Sequence, residues 1–303
     1  MPELPDIQLY LHALGLRIVG HELERVRLAA PFLLRSVEPP LSAVEGRTVI
    51  GVERLGKRIV LALDGDLFLV VHLMIAGRLR WKAAGAAVPG RVGLLALDFA
   101  HGTLLLTEAG STRRAALHLV RGRDALAGHD PGGLEVLDCS FDAFAAALRR
   151  ENHTLKRALT DPHILSGIGN AYSDEILHAA RLSPFKQTQT IDEAQLRQLY
   201  EATRSVLRDW TARLVAETGD AFPEKVTAFR QGMAVHGRYG QPCPVCHTPV
   251  QRVVYAANEA NYCATCQTDG RLLADRSLSR LLREDWPKTF EDLDRRRARL
   301  RVS

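Results

Sequence analysis

The sequence predicts an α+β chain: a β-sandwich or barrel with a leading helix, then a helical half, then a short cysteine-bearing module. Three observations carry this. Short β-type runs separated by Gly and Asp turns fill residues 23 to about 107. Helical period takes over beyond a Gly- and Pro-rich stretch at 121–140. Two Cys-x-x-Cys pairs, Cys243/Cys246 and Cys263/Cys266, stand near the end. A chain of 303 residues is long enough for two compact units. Its 46% hydrophobic and 25% charged residues exclude a disordered chain, a collagen-like chain and a disulfide miniprotein.

In chain order, Asp6–Leu14 has helical spacing, with Ile7, Leu11 and Leu14 on one stripe. Thr48–Val52, Arg58–Leu63, Leu67–Leu73 and Gly93–Phe99 read as strands, broken by turns such as Asp64-Gly65-Asp66. Residues 121–140, with Gly122, Gly128, Pro131, Gly132 and Gly133, read as a linker. Beyond it, Phe141–Arg150, Leu155–Leu159, Asn170–Arg181 and Asp192–Glu217 have helical period, the last starting at an acidic first turn. Gln251–Tyr255 reads as one arm of a hairpin.

The charge is unevenly spread. The whole chain holds 40 Lys and Arg against 35 Asp and Glu, and residues 276–303 alone hold 9 against 5. Most of the +5 excess therefore sits in the tail, which ends Arg295-Arg296-Arg297-Ala298-Arg299-Leu300-Arg301. Such a tail is either a polyanion-tracking segment or a solvated end. Ahead of it, Leu278, Leu281 and Leu282 form a short helical stripe that Trp286-Pro287 breaks. Met1-Pro2-Glu3-Leu4-Pro5-Asp6 carries two acids and no long apolar run, so no secretory signal peptide is expected. No run of 18 apolar residues occurs, so no membrane span is expected and the default location is the cytosol.

In that compartment cysteines are thiols or metal ligands. The two Cys-x-x-Cys knuckles, 16 residues apart, have the spacing of a four-thiolate zinc site. Four thiolates leave no open coordination position, so one structural zinc ion is expected, held by Cys243, Cys246, Cys263 and Cys266. His247 reads as a surface residue and Cys139 as a half-buried hydrophobe.

The start of the chain carries chemistry of its own. Removal of Met1 exposes the secondary amine of Pro2, and α-amino groups titrate about 2–3 units below lysine. Such an amine attacks electrophilic carbon to give an iminium. Glu3 beside it can shuttle a proton.

Met1-Pro2-Glu3-Leu4-Pro5-Asp6, Leu55-Gly56-Lys57-Arg58, Gly167-Ile168-Gly169-Asn170-Ala171-Tyr172-Ser173-Asp174-Glu175 and the four-cysteine ribbon occur in one order. Together they closely resemble the formamidopyrimidine-DNA glycosylase / endonuclease VIII family, over residues 1 to about 267. The resemblance implies a β-sandwich catalytic domain over 1–130, a helical helix–two-turn–helix domain over 131–236 and a zinc ribbon over 237–270; past the ribbon, where many members stop, this chain continues in a basic extension over 271–303. It further implies a monomeric bifunctional glycosylase and AP lyase acting on double-stranded DNA with damaged bases or abasic sites, nucleoid-associated in a bacterium. In such enzymes the target nucleotide is flipped out of the duplex. Carried over, Pro2 is the nucleophile, Glu3 the acid/base, and Lys57 a DNA contact near the reacting sugar with a proton-donor role. Asn170 is the asparagine of the helix–two-turn–helix. Gly167 and Gly169 there let the backbone approach a phosphate at a helix N-terminus.

The departures fall on residues that the resemblance places against DNA. The family's usual Glu is Asp6 here. The purine-preferring branch has His-Leu-Gly-Met-Ser-Gly, where Met is a wedge. This chain reads His72-Leu73-Met74-Ile75-Ala76-Gly77, so Ile75 takes the wedge position and Met74 replaces a glycine. The Arg-Arg-Phe turn of that branch is Arg113-Arg114-Ala115, and the helix–two-turn–helix lysine is His163. The hairpin arginine that clamps a phosphate is Asn258, followed by Glu259. Loss of one charge-assisted contact costs about 1.5–3 kcal/mol. The expectation is a glycosylase/lyase; the alternatives are a non-catalytic damaged-DNA binder of the same family, or a member that prefers pyrimidine or other lesions over oxidised purines.

Overall fold

The computed structural model describes residues 1–110, 112–255, 258–274, 287–292 and 295. The helical stripe at 278–282 and all of the terminal arginine run except Arg295 lie outside the described residues. The chain divides into two compact units, one of residues 1–133 with 207–228, the other of 134–206 with 229–303.

The first unit opens with α1, Leu4–Ile18. Pro5 in its first turn and the capping box of Glu3 and Asp6 start it there. The expected stripe is present in widened form: Ile7, Tyr10, Leu14 and Ile18 are fully buried. Then follow β1 (Glu22–Leu23), β2 (Arg25–Leu28), β3 (Arg47–Leu55), β4 (Arg58–Leu63), β5 (Leu67–His72), β6 (Gly77–Lys82), β7 (Gly93–Phe99), β8 (Gly102–Glu108) and β9 (Ala116–Arg121). They form two antiparallel sheets, ordered β1-β3-β4-β5-β9 and β2-β7-β8-β6. Ile59, Leu61, Leu69 and Val71 from the first sheet share one core with Leu95, Leu97, Leu104 and Leu106 from the second, which makes the pair a sandwich. The other face of β4 and β5 is covered too. Val60, Ala62, Phe68 and Val70 pack against Leu126 of α2, Arg123–Ala127. That helix lies inside the expected linker. Leu126 draws it out of solvent, because two strands apolar on both faces need a cover.

The second unit holds α3 (Phe141–Arg149), α4 (Leu155–Thr160), α5 (Asn170–Ala179) and the first part of α6 (Glu193–Thr218), close to the four predicted helical runs. Ser140 and Thr154 cap α3 and α4 through side-chain oxygens. Gly167, at φ +82°, turns the chain into α5. The ribbon hairpin is β10 (Gln251–Tyr255) against β11 (Asn258–Tyr262), and α7 (Ala264–Thr268) follows it. Among the described residues, no helix is long and apolar enough to cross a membrane.

Candidate active site and metal centre

Glu3 is the N-cap of α1 and only 3% exposed. Its backbone N–H donates to Asp6 Oδ2 at 2.9 Å, and its carboxylate accepts from the Asp6 N–H. Asp6 is therefore buried and serves the cap of α1. Pro2 is buried ahead of it. Burial lowers the α-amine of Met1 below its ordinary value; the charges of Glu3 and Asp6 oppose that shift, and those of Arg78 and Lys57 add to it. Lys57 is set by the tight turn between β3 and β4, where Gly56 has φ +62°. Burial lowers its ammonium too, against the pull of Glu3. The first unit thus gathers an amine, a carboxylate and a lysine whose charges act on one another.

Next to it, burial pushes His72 down to about 4, with the charges of Arg58 and Lys57 adding to the shift, so its imidazole is neutral at pH 7. Beyond β5 the chain turns sharply: Gly77 N–H donates to Leu73 O at 2.9 Å, and Met74 has φ +53°. A non-glycine residue in that region is strained by about 1–2 kcal/mol. Ile75 stands at the tip, 62% exposed. A Cβ at Gly77 would lie 2.2 Å from Leu73 O, so this turn requires glycine there. On a separate loop, Arg113 is exposed and donates through Nη2 to Arg91 O. Buried Glu108 holds that loop, accepting from Arg114 N at 3.0 Å and Ala115 N at 3.1 Å. Ala115, at the position of the aromatic in the Arg-Arg-Phe turn, is fully buried in the sandwich core.

In the second unit, Gly169 is buried as N-cap of α5 and Asn170 is the first residue of that helix, at its positive end. His163 is exposed; its N–H donates to Asp161 Oδ1 at 2.9 Å. Asn258 starts β11 opposite Tyr255; its side chain lies outside the described residues.

The four ribbon thiols converge. Their sulfurs all lie within 4.8 Å of one another, with Cys246–Cys263 at 3.3 Å and Cys243–Cys266 at 3.9 Å. Four Zn–S bonds of about 2.3 Å in a tetrahedron put sulfurs about 3.8 Å apart, so the set fits one zinc ion. His178 Nε2 lies 3.3 Å from Cys243 Sγ, an outer contact of the kind that orients a ligand. His247 is exposed and Cys139 half-buried, as expected.

Sequence reasoning missed a polar cluster at the centre of the second unit. Asp174 of α5 is 1% exposed. It accepts from Lys156 Nζ at 2.5 Å, from His236 Nδ1 at 2.8 Å and from Asn261 Nδ2 at 3.2 Å. Lys156 Nζ also donates to Asn170 O at 2.7 Å. Adjacent Glu175 accepts the N–H groups of Ala234, Val235 and His236 at 2.6, 2.9 and 2.9 Å. Two carboxylates between Tyr172 and Ile176 were the available signal: acids flanked by apolar residues must find donors. The pair ties α4, α5, the 234–236 segment and β11 together. Asp174→Ala would leave the Lys156 ammonium buried without its carboxylate. Urea unfolding of that variant, zinc-loaded, is expected to show a loss of about 3–5 kcal/mol; a loss under about 1 kcal/mol would mean the cluster is not a stabilising centre.

Family models match along the chain: the formamidopyrimidine-DNA glycosylase N-terminal domain over residues 1–116, its H2TH domain over 128–214, and the zinc finger found in FPG and IleRS over 240–268. The formamidopyrimidine-DNA glycosylase of Thermus thermophilus is 32% identical over 279 residues, covering 89% of this chain and all of the relative. An uncharacterized formamidopyrimidine-DNA glycosylase-like protein of Mycobacterium tuberculosis is 44% identical over 151 residues, covering 50% of this chain and 94% of that protein. The Lactococcus lactis Fpg solved with abasic-site-containing DNA has a TM-score of 0.77 at 23% identity, covering 88% of this chain and 99% of the other. The same protein solved with Fapy-dG-containing DNA has a TM-score of 0.76 at 22% identity, with coverage of 88% and 100%.

Proposed function

The chain belongs to the formamidopyrimidine-DNA glycosylase family, and from that premise we propose that it is a bifunctional glycosylase and AP lyase on damaged double-stranded DNA. The observation that carries this reading is buried Pro2 followed by buried Glu3 at the start of the chain, where the charges of Glu3 and Lys57 both act on the terminus. Once Met1 is removed, the terminal amine becomes the ring nitrogen of Pro2, a residue that is itself buried, and burial favours the neutral, nucleophilic form of an amine. That nitrogen attacks C1′ of a flipped-out nucleotide. The N-glycosidic bond breaks, and the base leaves with the bonding pair and takes up a proton. The C1′–O4′ bond then opens to an iminium, and Glu3 delivers a proton to the ring oxygen. Loss of a C2′ proton expels the 3′ phosphate, and a further elimination expels the 5′ phosphate.

Other residues act on binding in this reading. Lys57 contacts the strand beside the reacting sugar and serves as a proton donor. Asn170 and Gly169 receive a phosphate at the positive end of α5. Ile75 enters the stack where the base has left, Arg113 reaches the opposite strand, and His163 and Asn258 border the duplex. The zinc holds the ribbon hairpin in shape. The protein acts as a monomer on one nucleotide at a time.

A shifted lesion preference, toward pyrimidine or other lesions, is favoured by two observations. The wedge position carries a β-branched Ile75 on a turn strained at Met74. Ala115 contributes to the core and offers no aromatic surface. Borohydride trapping on abasic-site duplex tests the chemistry: hydride reduces the iminium to a stable amine, so protein lacking Met1 should become covalently linked to DNA through Pro2. Absence of the adduct would overturn the lyase reading. The same protein on a panel of oxidised purines and pyrimidines decides the lesion class.

A further inference from the structure

The hairpin of β10 and β11 has two unlike faces. Val253, Ala260 and Tyr262 are 4%, 0% and 1% exposed and form the buried one. Alternation puts Arg252, Val254, Glu259 and Asn261 on the other. Arg252 is the one Lys or Arg in residues 251–262, so this face carries a single cation. Its side chain is 47% exposed. The guanidinium carbon lies 4.7 Å from the ring centroid of Tyr239, itself an exposed residue of the ribbon's leading segment. That stacking limits the rotamers of a long side chain without using its in-plane N–H groups.

Among the described residues, the carboxylate that pairs with Arg252 is Glu259, diagonal to it across the ladder, with Oε2 at 3.8 Å from Nη1. That distance is an ion pair but not a hydrogen bond. Glu259 is held from the far side. Its Oε1 accepts from Asn261 Nδ2 at 3.0 Å, and the same nitrogen donates to Asp174 Oδ2 at 3.2 Å. The acid is anchored to α5 through a buried amide, while the guanidinium in front of it makes no hydrogen bond among the described residues. A fork of N–H donors, pre-oriented on a ring and half in water, matches a phosphodiester oxygen pair. Asn258, on the same hairpin, carries no charge for that purpose.

We infer that Arg252 is the phosphate-binding residue of the ribbon hairpin, taking up one backbone phosphodiester of the DNA, with Tyr239 orienting it and Glu259 competing for it. This rests on the DNA-acting reading above. Because Glu259 is a built-in competitor, the two residues have opposite effects on binding, which a merely structural pair would not show.

The test uses the full zinc-loaded chain and fluorescence anisotropy on an abasic-site duplex, with affinity followed against salt. Arg252→Gln should bind about tenfold more weakly at low salt, and its log K against log salt should flatten by about 1. Arg252→Lys should keep the wild-type slope, and Glu259→Gln should bind more tightly than wild type. Wild-type binding that falls steeply with salt while Arg252→Gln keeps the same slope and affinity would overturn the assignment and leave the DNA-acting reading standing. Wild-type protein with no salt-dependent binding would overturn both. Zinc content is read in every variant: loss of zinc from Arg252→Gln would make the residue structural and overturn the proposal, whereas full zinc with the flattened slope supports it.

Discussion

Glu3→Gln is expected to lower the single-turnover rate of base excision by about 10²–10⁴-fold while affinity for the lesion duplex changes little. The substitution isolates proton transfer. Glu3 is 3% exposed and caps α1 by accepting the Asp6 N–H, a job that a glutamine oxygen performs equally well. The fold, the cap and the shape of the site are therefore kept, and only the transferable proton is lost. Single-turnover conditions read the chemical step apart from product release. Excision within about fivefold of wild type would remove Glu3 from the acid/base role. Alanine is a poorer choice at this position, because it empties a buried cap and confuses stability with chemistry.

Stripping the metal, by chelation or by Cys263→Ala, is expected to unfold the ribbon and to abolish most of the DNA affinity. The physical reason is the size of the local core. Val235, Cys243, Val250 and Cys263 form one small buried cluster there, and Val253, Tyr262 and Ala264 another. Apolar groups so few cannot hold a two-stranded hairpin against chain entropy. Structural zinc in small domains contributes about 10–16 kcal/mol of apparent binding energy, which becomes folding energy. The sandwich has its own core in residues 1–133 with 207–228 and should remain folded. Metal content, far-UV circular dichroism and anisotropy on duplex DNA, before and after zinc is restored, check this. A metal-free chain that binds DNA as the zinc-loaded one does would mean that the ribbon has no part in the interface.

Much of the architecture was legible because it is local. Short β-type runs bounded by Gly and Asp turns located β4 and β7 to the residue. Helical period located α3, α4 and α5 to within about two residues, and the Cys-x-x-Cys spacing named the metal ligands. The short helix α2 escaped because its five residues look like linker, and its reason for folding is the apolar outer face of β4 and β5. The role of Asp6 also escaped: the sequence offered it as a contact for DNA, and the fold uses its carboxylate to start α1.

By itself, then, the sequence determined the element order, the four-thiol site and the grouping of an amine-bearing terminus with Glu3, since each depends on residues near one another in the chain. Only the tertiary structure decided what Asp174 and Arg252 meet. Asp174 takes its donors from 18 residues before it, in Lys156, and 87 residues after it, in Asn261. Arg252 is aimed by Tyr239 and checked by a Glu259 that is itself anchored to α5. A buried charge announces in the sequence that it needs a partner, because leaving it unpaired costs several kcal/mol. Which partner it finds is set by the path of the backbone between them, and that path is a property of the whole fold.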